Sequence, residues 1–300
     1  MITPEISAIY DSIEPLTNTN GKNDRFEYAK ASKGPHTYFV KSAIRTDMQS
    51  HIQRELVWYE FMRRVEAFYP DRQFRGMRVE RRIGRDTLVY DYVDAPVVAT
   101  AGELDRWQAV MPRYALMLET FDSVAMGWKS EDLPDEPSRS VDIYSIWLEW
   151  LGDNADKVKY LPAARKYVDL TKWTLKHMMQ HGDLSPWQIF DVDGMWIVYD
   201  GERCGTDLFR FYDLAYGFTR LYANLHAPAA AGELLRQFLA VHSSESRDEF
   251  VRQFMPVLTH RTIGVIADAY NDQATNDYVH EATELLNLCL GKKFDELLAV

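Results

Sequence analysis

The sequence predicts an α+β protein in which a small β-rich N-terminal region with one helix, residues 1–95, precedes a larger and mainly helical region, residues 96–300. Aromatic and β-branched segments with strand-like alternation fill the first region, whereas long apolar periodicities of helical spacing fill the second. The change occurs where Ala95 and Pro96 end the last strand-like segment. We therefore expect two lobes.

The N-terminal region is predicted to contain two hairpins separated by a helix. Glycine-containing turns occur at Gly34 in the first hairpin and at Gly84 in the second. Apolar residues recur at helical spacing over residues 47–65, and Asp47 is expected to cap that helix. The strand segments are residues 25–31, 36–43, 77–83 and 87–93.

The C-terminal region is predicted to be helical apart from one short hairpin. That hairpin spans residues 189–199, with Asp193 and Gly194 as its tight turn. Helices are expected to resume near Phe211. The earlier helical segments are residues 104–126, 143–151 and 163–179.

Composition narrows the class of partner. The formal net charge of −11 disfavours binding to nucleic acid or to an anionic membrane, so we expect a small-molecule partner. Cys204 and Cys289 lie far apart, which indicates neither a disulfide framework nor a thiolate metal site. Residues 1–20 show no export signal, and no stretch is long enough to span a bilayer, so we expect a cytoplasmic protein.

One constellation in the second region is typical of phosphoryl transfer. His181, Gly182 and Asp183 are followed by Gln188, and Asp200 lies at the far end of the predicted hairpin. Transfer of phosphate to a hydroxyl needs one carboxylate at the attacking hydroxyl and another that holds magnesium against the nucleotide phosphates. Asp183 and Asp200 suit these two tasks, because they lie on different segments that a hairpin can bring near each other.

These motifs resemble those of the aminoglycoside phosphotransferase family, which includes the choline kinase-like proteins of the protein kinase-like superfamily. The segment from His181 to Gln188 is similar to the family's His-Gly-Asp-x-x-x-x-Asn loop, and Asp200-Gly201-Glu202 to its Asp-x-Glu/Asp strand end. Tyr212-Asp213-Leu214-Ala215 is similar to its Tyr-Asp-Leu-Ala segment. The resemblance implies the two-lobed protein kinase-like fold and structural roles for His181 and Asp213, with Asp213 bracing backbone amides near His181.

The N-terminal region contains the other residues of a nucleotide site in the order that the family requires. Lys41 lies on the second predicted strand, where a lysine can reach the α and β phosphates if a carboxylate from the following helix holds it. Glu55 is the predicted partner, and Glu60 is disfavoured because it lies on a different helix face.

The resemblance also implies an adenine site and a loop over the phosphates. Backbone groups near Tyr92 and Val93, in the segment similar to the interlobe hinge, are expected to pair with the adenine edge. Residues 17–24 would cover the nucleotide, with Gly21 as their one glycine.

The leading hypothesis is an ATP- and Mg²⁺-dependent phosphotransferase acting on a hydroxyl of a small molecule. Asp183 would accept the proton, while Asp200 and Gln188 would hold the metal. Gln188 stands where the family has asparagine, and its longer side chain predicts weaker or altered metal binding. The alternative is a catalytically silent relative that binds nucleotide or a partner without transferring phosphate.

Two groups of residues in the helical region each have two interpretations, so the sequence does not identify the phosphate acceptor. The tryptophans Trp147, Trp150 and Trp173 either pack in the core, as we expect from their helical context, or form a ring-stacking pocket. An acidic series either lines a pocket for a cationic substrate or forms a solvated helix face. Its members are Asp268, Asp272, Asp277, Glu281 and Glu284.

Overall fold

The computed structural model describes residues 4–16, 25–128, 143–271 and 278–300. These residues form two compact units. The described part of the first unit comprises residues 4–16, 25–97 and 188–205, and that of the second comprises 98–128, 143–187, 206–271 and 278–300.

The first unit contains a five-stranded antiparallel sheet. Its strands are β1 (Ser12–Leu16), β2 (Phe26–Lys33), β3 (His36–Ala43), β5 (Val79–Ile83) and β6 (Thr87–Asp91). They lie in the order β1-β2-β3-β6-β5, and β1 is an edge strand that the sequence did not predict. Both predicted hairpins are present, with Lys33 opposite His36 in the first and Ile83 opposite Thr87 in the second.

The predicted helix of the first unit is α2, Gln49–Phe68, but Asp47 does not cap it. Met48 occupies the cap position without a side-chain hydrogen bond, and the Asp47 carboxylate instead accepts from Arg45 Nε at 3.0 Å. This ion pair competes for the carboxylate that a cap would need. A short helix that the sequence analysis did not predict, α1 (Pro4–Ile9), precedes β1.

The predicted short hairpin is confirmed as β8 (Ile189–Val192) and β9 (Met195–Val198). Asp193 and Gly194 both have positive φ, 51° and 82°, as a tight hairpin turn requires. The hairpin groups with the first unit instead of the helical region, because β4 (Phe74–Gly76) pairs in parallel with β9. This long-range pairing has no local sequence signal.

The second unit is mainly helical, as predicted, except in residues 163–179. Helix α5 ends at Thr171, and His177–Gln180 forms strand β7, which pairs with β10, Gly205–Phe209. A short apolar run suits a strand as well as a helix, so periodicity alone predicted the wrong element. Trp147 is buried in the core as expected, but Trp173 is 85% exposed and is not a core residue.

The remaining helices include α8 (Arg247–Asn271), most of whose residues are buried. They are α3 (Leu104–Met126), α4 (Ile143–Leu151), α5 (Leu161–Thr171), α6 (Tyr212–Thr219), α7 (Pro228–Val241), α8 (Arg247–Asn271), α9 (Tyr278–Leu290) and α10 (Phe294–Ala299). No helix within the described ranges is long and apolar enough to cross a membrane.

Candidate active site

A buried lysine surrounded by three carboxylates lies in the first unit. Lys41 Nζ donates hydrogen bonds to Glu55 Oε2 at 2.8 Å, Asp200 Oδ1 at 2.9 Å and Glu202 Oε2 at 2.8 Å. A lysine ammonium has three N–H donors, and each has a charged acceptor here. With Lys41 only 2% exposed, the ammonium is fixed in position. We call Lys41, Glu55, Asp200 and Glu202 the lysine–carboxylate cluster.

Helix α2 supplies Glu55, which is the partner that the sequence predicted for Lys41. Glu55 is itself 2% exposed, and its Oε1 accepts from Tyr59 Oη at 3.0 Å, one helical turn further on. Glu60 instead forms an exposed ion pair with Arg63. The contact predicted for Glu55 is therefore present.

The turn after β9 supplies the other two carboxylates. Asp200 has a left-handed backbone, φ 63° and ψ 43°, which is uncommon outside glycine and turns the chain sharply here. Gly201 follows, and a Cβ on it would lie 2.5 Å from Trp58 Cβ and 2.6 Å from Trp58 Cδ1. Only glycine lets this turn approach helix α2 so closely, and the approach brings both carboxylates to Lys41.

The cluster has an excess of negative charge. Burial alone would lower the pKa of Lys41, but Asp200, Glu55 and Glu202 outweigh it and raise that pKa well above its ordinary value. Burial also raises the pKa of Glu55, which the Lys41 ammonium only partly offsets. One cation faces three carboxylates, and the half-exposed Arg25, 3.1 Å from Glu202, offsets one further charge.

This donor set fits a hard divalent cation. Carboxylate oxygens of Glu55, Asp200 and Glu202 lie within 4.8 Å of one another, and oxygen ligands with excess negative charge are what Mg²⁺ and Ca²⁺ require. Sequence reasoning assigned no role to Glu202, although it recognised the Asp-x-Glu motif. The acidic residue at the third position of that motif was the signal from which a role for Glu202 could have been inferred.

The residues of the predicted catalytic loop, His181 to Asp183, lie in the second unit. Asp213, at the start of α6, accepts from the amides of His181 at 2.7 Å and Gly182 at 2.8 Å, which is the brace that the resemblance implied. The amide of Asp213 in turn donates to Gln180 Oε1 at 3.1 Å. Burial raises the pKa of Asp213, against the opposing effects of His181 and the two amides. These contacts fix the loop backbone to the helix.

His181 and Asp183 are in contact within this loop. His181 Nδ1 lies 3.0 Å from Asp183 Oδ1; the histidine side chain is fully buried, whereas the Asp183 side chain is 15% exposed. The loop is further held by Tyr114 of α3, whose hydroxyl donates to the Leu184 carbonyl at 2.8 Å. Asp183 is thus an oriented and partly accessible carboxylate.

The remaining predicted residues belong to the first unit or lie outside the described chain. Gln188 is 7% exposed and its carbonyl accepts from the Tyr199 amide at 3.0 Å. Tyr92 and Val93 follow β6 and are partly buried, and the Tyr92 amide donates to the Thr37 carbonyl at 3.1 Å. Gly21 lies outside the described residues.

No protein-family model matches the chain, and no curated protein matches it in sequence. Solved structures do match over nearly the whole length. A choline kinase from Streptococcus pneumoniae has 14% identity and a TM-score of 0.58, and covers 96% of each chain. An aminoglycoside phosphotransferase in complex with GDP and kanamycin has 15% identity and a TM-score of 0.53, covering 95% of this chain and 94% of its own.

A third neighbour is an amicoumacin kinase in complex with AMP-PNP and Ca²⁺, with 12% identity, a TM-score of 0.58 and coverage of 98% of this chain and 89% of its own. At these identities the similarity establishes the fold. The chain therefore has the protein kinase-like α+β fold of the aminoglycoside phosphotransferases and choline kinases, which confirms at the level of the fold the resemblance seen in its motifs.

Proposed function

We propose that this protein is an ATP- and Mg²⁺-dependent phosphotransferase that acts on a hydroxyl of a small molecule. The observation that carries the proposal is the lysine–carboxylate cluster, in which Lys41 Nζ meets Glu55, Asp200 and Glu202 within 2.9 Å. A buried lysine held by a helix carboxylate, beside further carboxylates with metal-binding geometry, is the arrangement that nucleotide phosphates and their metal require.

Lys41 and Glu55 are proposed to bind the nucleotide phosphates. Tyr59 and Lys41 both contact Glu55, so the lysine is oriented before any ligand arrives. For the adenine edge, Val93 is the better amide donor of the predicted pair, because the Tyr92 amide already donates to Thr37. Gly21 remains the proposed backbone contact of the phosphate-covering loop.

Asp200 and Glu202 are proposed as the main metal ligands, with Gln188 contributing its amide oxygen. A bound Mg²⁺ would neutralise charge on the transferring phosphate. The excess negative charge of the cluster suits this ion, and Asp200 is its most exposed carboxylate, at 36% of its side chain. The neighbour crystallised with AMP-PNP and Ca²⁺ supports a nucleotide with a divalent cation.

Asp183 is proposed to orient the acceptor hydroxyl and to take its proton. Its Oδ1 lies near His181 Nδ1, and the loop that bears it is fixed by Asp213, so the carboxylate does not need to reorganise when substrate binds. Positioning and charge neutralisation are expected to provide most of the rate acceleration.

The experiment combines a binding readout with turnover. ATP with Mg²⁺ should raise the thermal unfolding midpoint more than either alone, since a ligand that binds the native state stabilises it. Glu55→Gln should abolish this shift, whereas Glu60→Gln, an exposed change on the same helix, should not. ATP turnover with a panel of hydroxylated metabolites should be lost in Asp183→Asn.

The outcomes separate the proposal from the silent alternative. A shift of the thermal unfolding midpoint with no phosphate transfer to any acceptor would favour a nucleotide-binding protein without catalysis. Gln188, which stands where the family has asparagine, is the reason for considering this alternative. No shift with ATP and Mg²⁺, together with no turnover, would refute the proposed function.

A further inference from the structure

A group of arginines and aromatic rings in the second unit includes residues of the helix that also braces the candidate catalytic loop. Tyr212, Tyr216 and Arg220 are spaced four residues apart along α6 and its continuation, so they share one face. The Arg261 guanidinium of α8 lies over the rings of Tyr212 at 5.4 Å and Tyr216 at 4.8 Å. We call Tyr212, Tyr216, Arg220 and Arg261 the arginine–tyrosine cluster.

Arg261 is buried among aromatic rings. Burial alone would lower its pKa, but Tyr212, Tyr216 and Asp268 outweigh this effect and raise that pKa. Arg261 is 6% exposed, and among the described residues no carboxylate lies within ion-pair distance of its guanidinium. Its Nη1 donates to Tyr212 Oη at 3.1 Å, and its buried Nε has no hydrogen-bond partner in the part of the chain that the structure describes. A guanidinium has five N–H donors, so most of the recognition capacity of Arg261 is unused.

A buried, unpaired cation is costly to a fold. Ring faces compensate it in part, and Trp150 adds a third ring at 5.9 Å. Arg210, by contrast, is also buried in this unit but is bound by Asp122 at 2.6 and 2.8 Å and by Glu245 at 2.7 Å. The charge of Arg210 is thus neutralised by carboxylates in contact with it, as a buried structural arginine requires. The contacts of Arg261 are instead with aromatic rings and a tyrosine hydroxyl.

Arg220 adds a second positive charge beside the same ring. Its guanidinium lies 4.9 Å from the Tyr216 ring centroid, and its Nη2 donates to Tyr216 Oη at 2.9 Å. The carboxylate of Asp268 is 3.7 Å from Arg220 and half-exposed, which makes a weak ion pair. The guanidiniums of Arg220 and Arg261 thus both lie beside Tyr216, and the Asp268 carboxylate forms a weak ion pair with Arg220.

Geometry links this cluster to the candidate catalytic loop. Asp213, which holds the amides of His181 and Gly182, immediately follows Tyr212 and precedes Tyr216 by less than one helical turn. Burial raises the pKa of the Tyr216 hydroxyl, and the nearby Asp183 carboxylate acts in the same direction. The cluster therefore stands close to the proposed base.

Of the acidic series Asp268, Asp272, Asp277, Glu281 and Glu284, Asp272 and Asp277 lie outside the described residues, and the other three have basic neighbours. Asp268 pairs with Arg220, Glu281 with His226 at 2.8 Å, and Glu284 with His280 at 3.3 Å. Each of these three carboxylates has a basic neighbour, although His226 and His280 carry charge only when protonated. Within the described ranges no carboxylate lies within ion-pair distance of Arg261, and its unused N–H donors favour a negatively charged ligand.

We propose that the acceptor alcohol carries an anionic group, a carboxylate or a phosphate, which Arg261 and Arg220 bind against the face of Tyr216. The proposal rests on the proposed function and names the substrate class of that site. Guanidinium groups bind both anions through paired hydrogen bonds, which are stronger than hydrogen bonds between neutral groups.

The test is a matched panel of alcohols with ATP and Mg²⁺. Glycerate and glycerol phosphate carry the two anions, glycerol is the neutral analogue, and choline and kanamycin are cationic. We expect kcat/KM for an anionic alcohol to exceed that for glycerol by about 10- to 100-fold. The two anionic arms distinguish carboxylate from phosphate.

Substitutions test whether the preference for an anionic alcohol depends on Arg261 and Arg220. Arg261→Met should raise KM for the anionic alcohol and remove its advantage over glycerol, with KM for ATP unchanged, and Arg261→Lys should restore part of it. Arg220→Met provides the same readout if Arg261→Met fails to fold. Arg252→Met, an exposed change on the same helix, is the control and should leave the preference intact.

Preference for choline or kanamycin, or an equal effect of Arg261→Met on all alcohols, would overturn the inference while the proposed function stands. No transfer to any alcohol, with no stabilisation by ATP and Mg²⁺, would overturn both.

Discussion

Glu202 Oε2 lies 2.8 Å from Lys41 Nζ, although the two residues are 161 positions apart in the chain. The contact joins β3 to the turn after β9, and Glu202 thereby becomes one of the residues that hold the ammonium. Its carboxylate also lies 3.1 Å from Arg25, so this position has two cationic neighbours.

We expect Glu202→Gln to weaken divalent metal binding. The amide keeps the shape and an oxygen for Lys41 but removes one negative charge, so the Mg²⁺ concentration for half-maximal stabilisation by ATP should rise by about tenfold or more. Thermal shift titrations with Mg²⁺ at fixed ATP measure this, with Glu60→Gln as the exposed control. An unchanged Mg²⁺ dependence would remove Glu202 from the proposed ligand set.

Gly201→Ala should destabilise the first unit. Its Cβ would overlap Trp58, which is fully buried and cannot move freely, at a cost of about 1–3 kcal/mol in the free energy of unfolding. Asp200 and Glu202 flank this glycine, so stabilisation by ATP and Mg²⁺ should fall as well. Urea unfolding provides the measurement. Gly102→Ala, where a Cβ meets nothing within 4 Å, should be close to neutral.

Asp213→Asn should lower both stability and turnover. The carboxylate accepts two buried amides, and an asparagine has only one oxygen and would direct an N–H at the other amide, which costs about 1–3 kcal/mol. Loss of the brace should also displace Asp183. Asp191→Asn is the control, because the Asp191 carboxylate accepts only the Gly194 amide in the β8–β9 turn and an asparagine oxygen can still accept it. Equal effects of the two variants would contradict the bracing role.

Stability should fall as the pH drops below about 6.5 because of His260. Burial lowers the pKa of His260 to about 3, and its Nδ1 accepts from Trp147 Nε1 at 2.8 Å, which requires the neutral ring. The unfolded state therefore binds a proton that the folded state does not, between about pH 6.5 and pH 3.

Each pH unit within that window should cost about 1.4 kcal/mol in the free energy of unfolding. Urea unfolding at a series of pH values measures the slope for the wild type and for His260→Gln, which retains an oxygen acceptor for Trp147. The variant should show the shallower slope. Parallel pH profiles would contradict this assignment.

Local sequence patterns correctly predicted those strands, helices and turns that are determined by interactions within one segment of the chain. The strand alternation around Gly34, the helical spacing of α2 and the Asp193-Gly194 turn were each readable, because backbone preference and burial agree within one segment. The motif order also indicated Lys41 and Glu55 as a pair, and the structure contains their contact.

By itself, the sequence determined the fold class and the identity of the residues suited to phosphoryl transfer. Only the tertiary structure decided that β4 joins β9, that His177–Gln180 forms a strand and that Glu202 reaches Lys41. It also decided that Arg261 is buried with no carboxylate of the described residues within ion-pair distance. The physical reason is distance along the chain. Strand partners, buried ion pairs and uncompensated charges arise between residues tens to hundreds of positions apart, and no local periodicity encodes them.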